Sequence, residues 1–441
     1  MQQKIFNFDE LSLIITMLVV FIGAVVIKFA RSYLDGDRNY KYFLLNLITI
    51  IASIIICFSV DDIFMFLGFF YLSNFFLVLL IIHKANWEAS FQSGIAAAKQ
   101  LLMSSIMVGA AMYFLNRDFA SNSIQFIVQN SHQITDHNLA FGLLFLTLGA
   151  FMQSAIFPFN KWLLSSLNSP TPVSAVMHAG LINGGAILIA RFANLYVEMP
   201  LFLDVIFVVG IVSCVLGTAF KLVQSDIKKM LACSTLSQMG FMFAQCGLGL
   251  FAAAIAHLCF HGLFKAYLFL TSNSSWQERK IERKAQLRAG NFSLALVIGA
   301  CGAGVFTAAS GFDVRNVNSE YFLIFMTFIF ATQIAFSLLD KIAVKNFLWA
   351  AASALGISYL YALSIVGVRK LLEPAVIFMP QELKLIHAVA ALALFGLWVV
   401  QLLYQRQNKR GKFFDWLYVK ILNMSQPIKQ TITANRKNYR L

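Results

Sequence analysis

The chain is a succession of apolar runs separated by short polar gaps. A helix needs roughly 20 apolar residues to cross a bilayer. Thirteen segments qualify, near 11–29, 42–58, 63–82, 94–115, 139–157, 173–192, 201–223, 228–249, 251–271, 291–309, 321–339, 345–367 and 384–404. Runs this long and continuous exclude a β-barrel, whose spanning strands are short and alternate in polarity. Of the 441 residues, 59% are apolar and 12% charged, against about 25% charged in soluble domains. A water-soluble globule of this composition would expose more apolar surface than solvation allows. A disordered chain needs the opposite balance. The sequence therefore reads as an all-α, polytopic membrane helix bundle of thirteen spans over residues 1–405, followed by a basic tail over 406–441.

The net charge of +14 would point to nucleic acid if it formed one solvated face. Instead Lys and Arg sit in the gaps between runs and in the tail, where they act as topology signals and lipid contacts. Loops after odd-numbered runs carry most of them: Arg31, Arg38 and Lys41, then Lys84, Lys161, Lys228 and Lys229, then Arg279 to Arg288. Loops after even-numbered runs hold Asp61 and Asp62, Arg117 with Asp118, Glu198, and Asp313 with Arg315; only Arg369, Lys370 and Lys384 break the trend, offset by Glu373 and Glu382. This asymmetry predicts an outside N-terminus and a cytoplasmic C-terminus, which thirteen spans require. No cleavable signal peptide is expected, because the first run is long and follows Asp9-Glu10. The tail, with Phe413-Phe414-Asp415-Trp416-Leu417, reads as an interfacial segment or a docking surface for a cytoplasmic partner. The six cysteines lie inside apolar runs without a CxxC pair and read as small packing residues.

Ionisable groups inside an apolar run are costly and mark candidate sites. His257, His261 and Lys265 recur at spacings of four and so share one helical face. Imidazole takes up and releases protons near neutral pH, and an amine held out of water can release one. The three form a candidate proton relay; the alternative is histidines bonded to backbone and a snorkelling lysine. The run 139–157 leads into Phe157-Pro158-Phe159-Asn160-Lys161-Trp162, where proline removes a helix donor. A discontinuous helix is expected at Pro158, with Lys161 and Gln153 beside it, of the sort that builds ion sites in transporters. Next, Ser169-Pro170-Thr171-Pro172 enters a helix carrying His178, Gly180, Gly184 and Gly185. Finally, Asp226 and Lys228 in Gln224-Ser225-Asp226-Ile227-Lys228-Lys229 could pair at the cytoplasmic boundary or simply form a solvated turn. The core of these motifs spans 139–271.

Taken in order, the proline break with Trp162, "SPTPVSAVMHAG" (169–180), "QSDIKKMLACSTLSQMGFMF" (224–243) and "HLCFHGLFKAYLFL" (257–270) resemble the antiporter-like membrane subunits of respiratory complex I and Mrp cation/proton antiporters. The likeness is specific over about 150–270, weaker over 60–115 and fades after 275. It implies a multi-helix proton channel in which His178, Asp226, Lys228, His257, His261 and Lys265 fall on positions the family uses or keeps polar. Two positions depart from the pumping subunits. Phe70 stands where they carry a Glu, and Gln153 where they carry a Lys. Losing that pair removes the electrostatic switch of one half-channel.

A branch of the superfamily fits these departures: the membrane subunits of Dab-type inorganic-carbon complexes, similar here from Leu72 through His83 and over Ala96-Ala97-Ala98-Lys99 to Ser105. That resemblance implies a bacterial inner-membrane subunit, not itself an enzyme. Its partner would be a large cytoplasmic, DabA-like subunit resembling a zinc carbonic anhydrase. Proton or Na⁺ flow would then drive accumulation of bicarbonate. No cofactor is expected in this chain, since no Cys/His cluster has ligand spacing; zinc would belong to the partner. The partner would dock on the side of the basic loop 277–288 and the tail. The alternatives are a proton-pumping or cation-exchanging subunit of a complex I-like or Mrp-like assembly, and a non-conducting anchor for a cytoplasmic enzyme.

Overall fold

The computed structural model describes residues 6–272, 289–313, 315–339, 344–373, 379–406 and 412–432. The basic loop 277–288 and the ends of the tail lie outside the described residues. Helices form wherever an apolar run is long enough to satisfy its own backbone, as lipid requires. α1 (Glu10–Tyr33), α2 (Tyr40–Ser59), α3 (Ile63–Ile81) and α4 (Glu88–Asn116) run up and down in turn. The short α5 (Ile124–Gln129) follows, then α6 (Asp136–Gln153), α7 (Lys161–Ser165), α8 (Thr171–Ala179), α9 (Gly184–Arg191) and α10 (Ala193–Glu198). α11 (Pro200–Val223), α12 (Ile227–Gly247) and α13 (Phe251–Thr271) complete the central bundle. α14 (Ala289–Ser310), α15 (Glu320–Leu338), α16 (Val344–Leu372) and α17 (Leu385–Arg406) flank it, and α18 (Lys412–Met424) ends the described chain.

Eleven helical segments among the described residues are long and apolar enough to cross a membrane, counting α8 to α9 as one. The runs at 139–157 and 228–249 are also helical, as α6 and α12, but are not among those eleven. Both carry polar side chains that meet partners inside the protein, described below. Among the described residues there is no sheet, only isolated backbone bridges.

Backbone ties show which ends share a face. Asn7 N–H donates to Ser59 O (2.8 Å), Ile124 N–H to Asp61 O (2.8 Å) and Ile63 N–H to Asn122 O (3.0 Å). Arg191, at the end of α9, ion-pairs with Asp9 at the start of α1. These ends define a first face. On the second face His83 meets Asp37 at 3.2 Å, and the stretch after α18 ties down α7: Ile428 N–H donates to Ser165 Oγ (3.0 Å) and Asn168 Nδ2 to Thr431 O (2.8 Å). α11 and α12 touch nearly backbone to backbone, because a Cβ on Gly217 would lie 2.4 Å from Ser237 N and one on Gly247 2.5 Å from Phe207 N. Small residues at such crossings replace the hydrophobic drive that lipid withholds.

The break expected at Pro158 begins earlier. α6 ends at Gln153, Ala155 turns the chain at a φ of 53°, and the Phe157–Pro158 peptide is cis. A second break, which the sequence reading did not place, separates α8 from α9 at Gly180. The two breaks satisfy each other. Ser154 Oγ donates to Ile182 O (2.5 Å) and accepts from Gly185 N–H (3.2 Å), while Asn183 Nδ2 takes Ala179 O (2.8 Å). Carbonyls freed at depth must find such donors, because no water competes for them.

Candidate functional site

His257, His261 and Lys265 lie in succession along α13. At 1.5 Å per residue, His257 is about 9 Å from the first-face end of α13 and Lys265 about 9 Å from the other end. The row therefore crosses the middle of the bundle. His261 and Lys265 are only 5% and 1% exposed, so both are sealed inside protein rather than snorkelling to water. The His257 and His261 rings stand edge to face with centroids 6.2 Å apart. Neither ring nitrogen of His261 has a hydrogen-bond partner among the described residues.

α8 delivers the fourth group. It ends against α13, where a Cβ on Gly262 would sit 2.7 Å from Ala179 O. This contact brings His178, in the last turn of α8, onto the face of Phe269 at 4.3 Å between ring centroids. His178 Nδ1 lies 3.1 Å from Thr235 Oγ1. That hydroxyl donates to Leu231 O (3.0 Å), and Lys265 Nζ donates to the same carbonyl (3.2 Å). A hydroxyl has one hydrogen: placed on Leu231 O it leaves Thr235 to accept from an Nδ1–H of His178, and placed on Nδ1 it leaves His178 protonated on Nε2. Its Nε2 is buried without a partner among the described residues. One threonine and one carbonyl thus join His178 to Lys265.

His257 is held differently, with Nδ1 3.0 Å from Gln245 Oε1 and Nε2 2.8 Å from Gln238 Oε1. Gln245 Nε2 in turn donates to the hydroxyl of Tyr361 on α16 at 3.0 Å. Thr235, Gln238, Gln245 and Tyr361 were not singled out in the sequence. Thr235 and Gln238 fall inside the quoted motif 224–243, and Gln245 lies seven residues, about two turns, beyond Gln238.

Gln153 forms a separate node. It exchanges two hydrogen bonds with Asn74 (Nδ2 to Oε1 3.2 Å, Nε2 to Oδ1 2.8 Å), and Ser104 Oγ, whose hydroxyl reaches Gly149 O at 2.8 Å, lies 3.3 Å from its Oε1. Asn74 also donates to Ser105 Oγ at 3.0 Å. Phe70, one turn before Asn74 on α3, lines with Gln153, Ser73, Gly180 and Gly184 a cavity of about 20 Å³, room for roughly one water. No charged side chain joins this node: Gln153 pairs with the Asn74 amide, and the Phe70 ring lines the cavity beside it.

The remaining residues singled out in the sequence lie elsewhere. Pro158 and Lys161 are exposed, so the charge of Lys161 stays outside the break that Gln153 and Ser154 line. Asp226 is exposed and makes no ion pair with Lys228; its carboxylate accepts Lys229 N–H at 2.8 Å as the N-cap of α12. The orphan N–H groups of a first helical turn explain that choice.

An all-helical membrane bundle, with two facing helix breaks beside a buried row of protonatable side chains, defines the class of antiporter-like membrane subunits. The chain belongs to the NADH:quinone oxidoreductase/Mrp antiporter membrane family, which matches residues 57–309; residues 5–44 match the N-terminus of chain 5 of NADH-ubiquinone oxidoreductase (complex I). The probable inorganic carbon transporter subunit DabB of Bacillus subtilis is 34% identical over 303 residues, 66% of this chain and 59% of that protein. A probable DabB1 of Halothiobacillus neapolitanus is 34% identical over 278 residues, 62% of this chain and 50% of that protein. Subunit L of the NADH-quinone oxidoreductase of Pseudomonas aeruginosa is 33% identical over 274 residues, 60% of this chain and 44% of that protein. The match thus spans about half the length of these curated relatives. The fold itself is that of a chain in the Mrp complex from Dietzia sp. DQ12-45-1b, with a TM-score of 0.62 and 20% identity, covering 95% of this chain and 52% of that one.

Proposed function

We propose that this chain is the proton-conducting membrane subunit of an inorganic-carbon accumulation complex. Protons pass among His257, His261 and Lys265, with His178 joined to Lys265 through Thr235. The single observation that carries this reading is the row of three protonatable groups on α13 with His178 beside it, because ionisable groups at membrane depth, His178, His261 and Lys265 among them buried, are too costly to keep for packing alone. The named likeness to inorganic-carbon transporter subunits supports the substrate class. The uncharged Gln153–Asn74 node supports a coupling subunit over a complete pump, since one half of the channel lacks a charge to move. The chain is not itself an enzyme and holds no cofactor; CO2 hydration takes place on a zinc-bearing, carbonic-anhydrase-like cytoplasmic subunit. The second face, with its Lys-rich loops and the segment 412–432, faces the cytoplasm of a bacterial inner membrane, and the N-terminus lies outside.

The test is bicarbonate uptake by the intact complex, with proton flux measured after reconstitution in liposomes. His261→Ala and Lys265→Ala abolish both while the complex still co-purifies, and Lys265→Arg keeps assembly as a control for folding. Undiminished flux in both alanine variants would leave a membrane anchor as the better reading. Co-purification with NADH-oxidising or Mrp subunits, in place of a carbonic-anhydrase-like protein, would assign the chain to a pump or a cation exchanger.

A further inference from the structure

His257 is held between two side-chain amides, and the two are not equivalent. Gln245 is committed at both ends: its Oε1 faces Nδ1 at 3.0 Å, and its Nε2 donates to Tyr361 Oη at 3.0 Å. Tyr361 is itself stacked on Phe306, with centroids 5.5 Å apart. Gln238 touches Nε2 at 2.8 Å and has no other side-chain bond among the described residues. A neutral imidazole has one N–H and one lone pair, so the two amide oxygens cannot both be served unless the ring is charged or one amide turns. Turning Gln245 would also require Tyr361 to reverse its bond. Turning Gln238 disturbs nothing else.

We infer that Gln245 and Tyr361 are positioning residues that anchor His257 as its Nδ1–H tautomer, and that Nε2, with Gln238 as its turning partner, is the nitrogen that exchanges protons. When the ring is neutral, Gln238 donates its amide N–H to the Nε2 lone pair. When Nε2 takes a proton, an N–H bond forms, the ring becomes imidazolium, and Gln238 turns to present Oε1. Release breaks that N–H bond and returns the pair to Nε2. Both ring nitrogens stay hydrogen-bonded as the ring gains and loses charge, which lowers the cost of charging it away from water. The other groups around α13 do not offer Nε2 a competing partner. α12 presents the two amides and the Phe241 ring at 5.6 Å, α1 presents Leu18 and Ile22 near Gly262, and α9 places Ile187 by Leu258. The titratable neighbours are His261 on the same helix and Tyr361, while His178 of α8 lies beyond, against Phe269.

The role of this exchange in transport rests on the relay proposed above; the tautomer itself does not. The test is solid-state NMR of 15N-histidine-labelled full-length protein in lipid bilayers, with His257 assigned by its loss in His257→Gln. The wild type shows Nδ1–H. Gln245→Glu, which can only accept when ionised, retains it. Gln245→Leu removes the anchor, and the proton moves to Nε2, where Gln238 Oε1 accepts it. Tyr361→Phe, which keeps the shape of the ring, gives a mixture of the two forms and covers the case in which Gln245→Leu fails to fold. A merely structural amide would leave the tautomer unchanged in every variant. An Nε2–H wild type, or Nδ1–H persisting in both Gln245→Leu and Tyr361→Phe, overturns the inference. Full flux in His261→Ala would overturn the relay and leave the tautomer result standing, so the two failures are distinguishable.

Discussion

The node at Gln153 allows a charge-swap experiment whose size follows from the structure. Gln153 and Asn74 are 2% and 4% exposed, and the adjoining cavity has room for roughly one water. A lone charge placed there cannot be hydrated. Removing one partner of a buried pair costs about 3–5 kcal/mol. Gln153→Lys alone should therefore destabilise the protein by about 3 kcal/mol, because its neighbours are an amide, hydroxyls and Phe70. Phe70→Glu alone should cost a comparable amount. Both positions line the same cavity, so the double variant supplies each charge with its counter-ion. The expected interaction term in the double-mutant cycle is then about 3 kcal/mol in favour of the pair. Reversible unfolding in mixed SDS micelles, followed by tryptophan fluorescence, measures all four corners of the cycle. Penalties that add to within about 0.5 kcal/mol would refute the reasoning. In that case the two side chains do not share a dry environment.

Two further perturbations test the frame around the site. Gly217→Ala drives a methyl group to within 2.4 Å of Ser237 N and should lower stability by about 1–3 kcal/mol through forced separation of α11 and α12, whereas Gly109→Ala, with open space at its Cβ, should not; SDS unfolding midpoints decide. Outside the membrane, Asp118 is held below the usual carboxylate range, first by the Asn138 side chain (2.8 Å) and then by Thr135 N–H (2.8 Å). A carboxylate lowered in the folded state contributes stability above its ordinary value and loses it as pH falls through the folded one. The melting temperature of Asp118→Asn should accordingly lie below wild type at neutral pH, with the gap closing as pH drops below the ordinary carboxylate range. A gap that stays constant with pH would show that the bonds to Asn138 and Thr135 are not charge-dependent.

The sequence by itself determined what depends on a residue's own neighbours along the chain. Twenty-residue apolar stretches determined the helices, since in lipid no other local structure satisfies a backbone. The spacing of four placed His257, His261 and Lys265 on one face, because helix periodicity is independent of what packs against it. Proline at 158 signalled a break but not where the break begins. α6 ends at Gln153 because Ser154 finds its acceptor in Ile182, on a separate break of the chain. Gly180 carried too little local signal for that second break to be placed.

Only the tertiary structure decided which polar residues matter to those groups. Gln238 and Gln245 are neutral amides in an apolar helix, and nothing nearby in the chain separates such a residue from one packed elsewhere. Their meaning comes from an imidazole on α13 and a phenol on α16. Likewise Asp226 beside Lys228 looks like an ion pair, yet its nearest unmet need is a backbone N–H of its own first turn. Hydropathy and periodicity are read along one helix, whereas a hydrogen bond at membrane depth is settled by the helix opposite. The scarce charges mark a candidate site, and the packing of α8, α12 and α16 against α13 determines which partners its side chains meet.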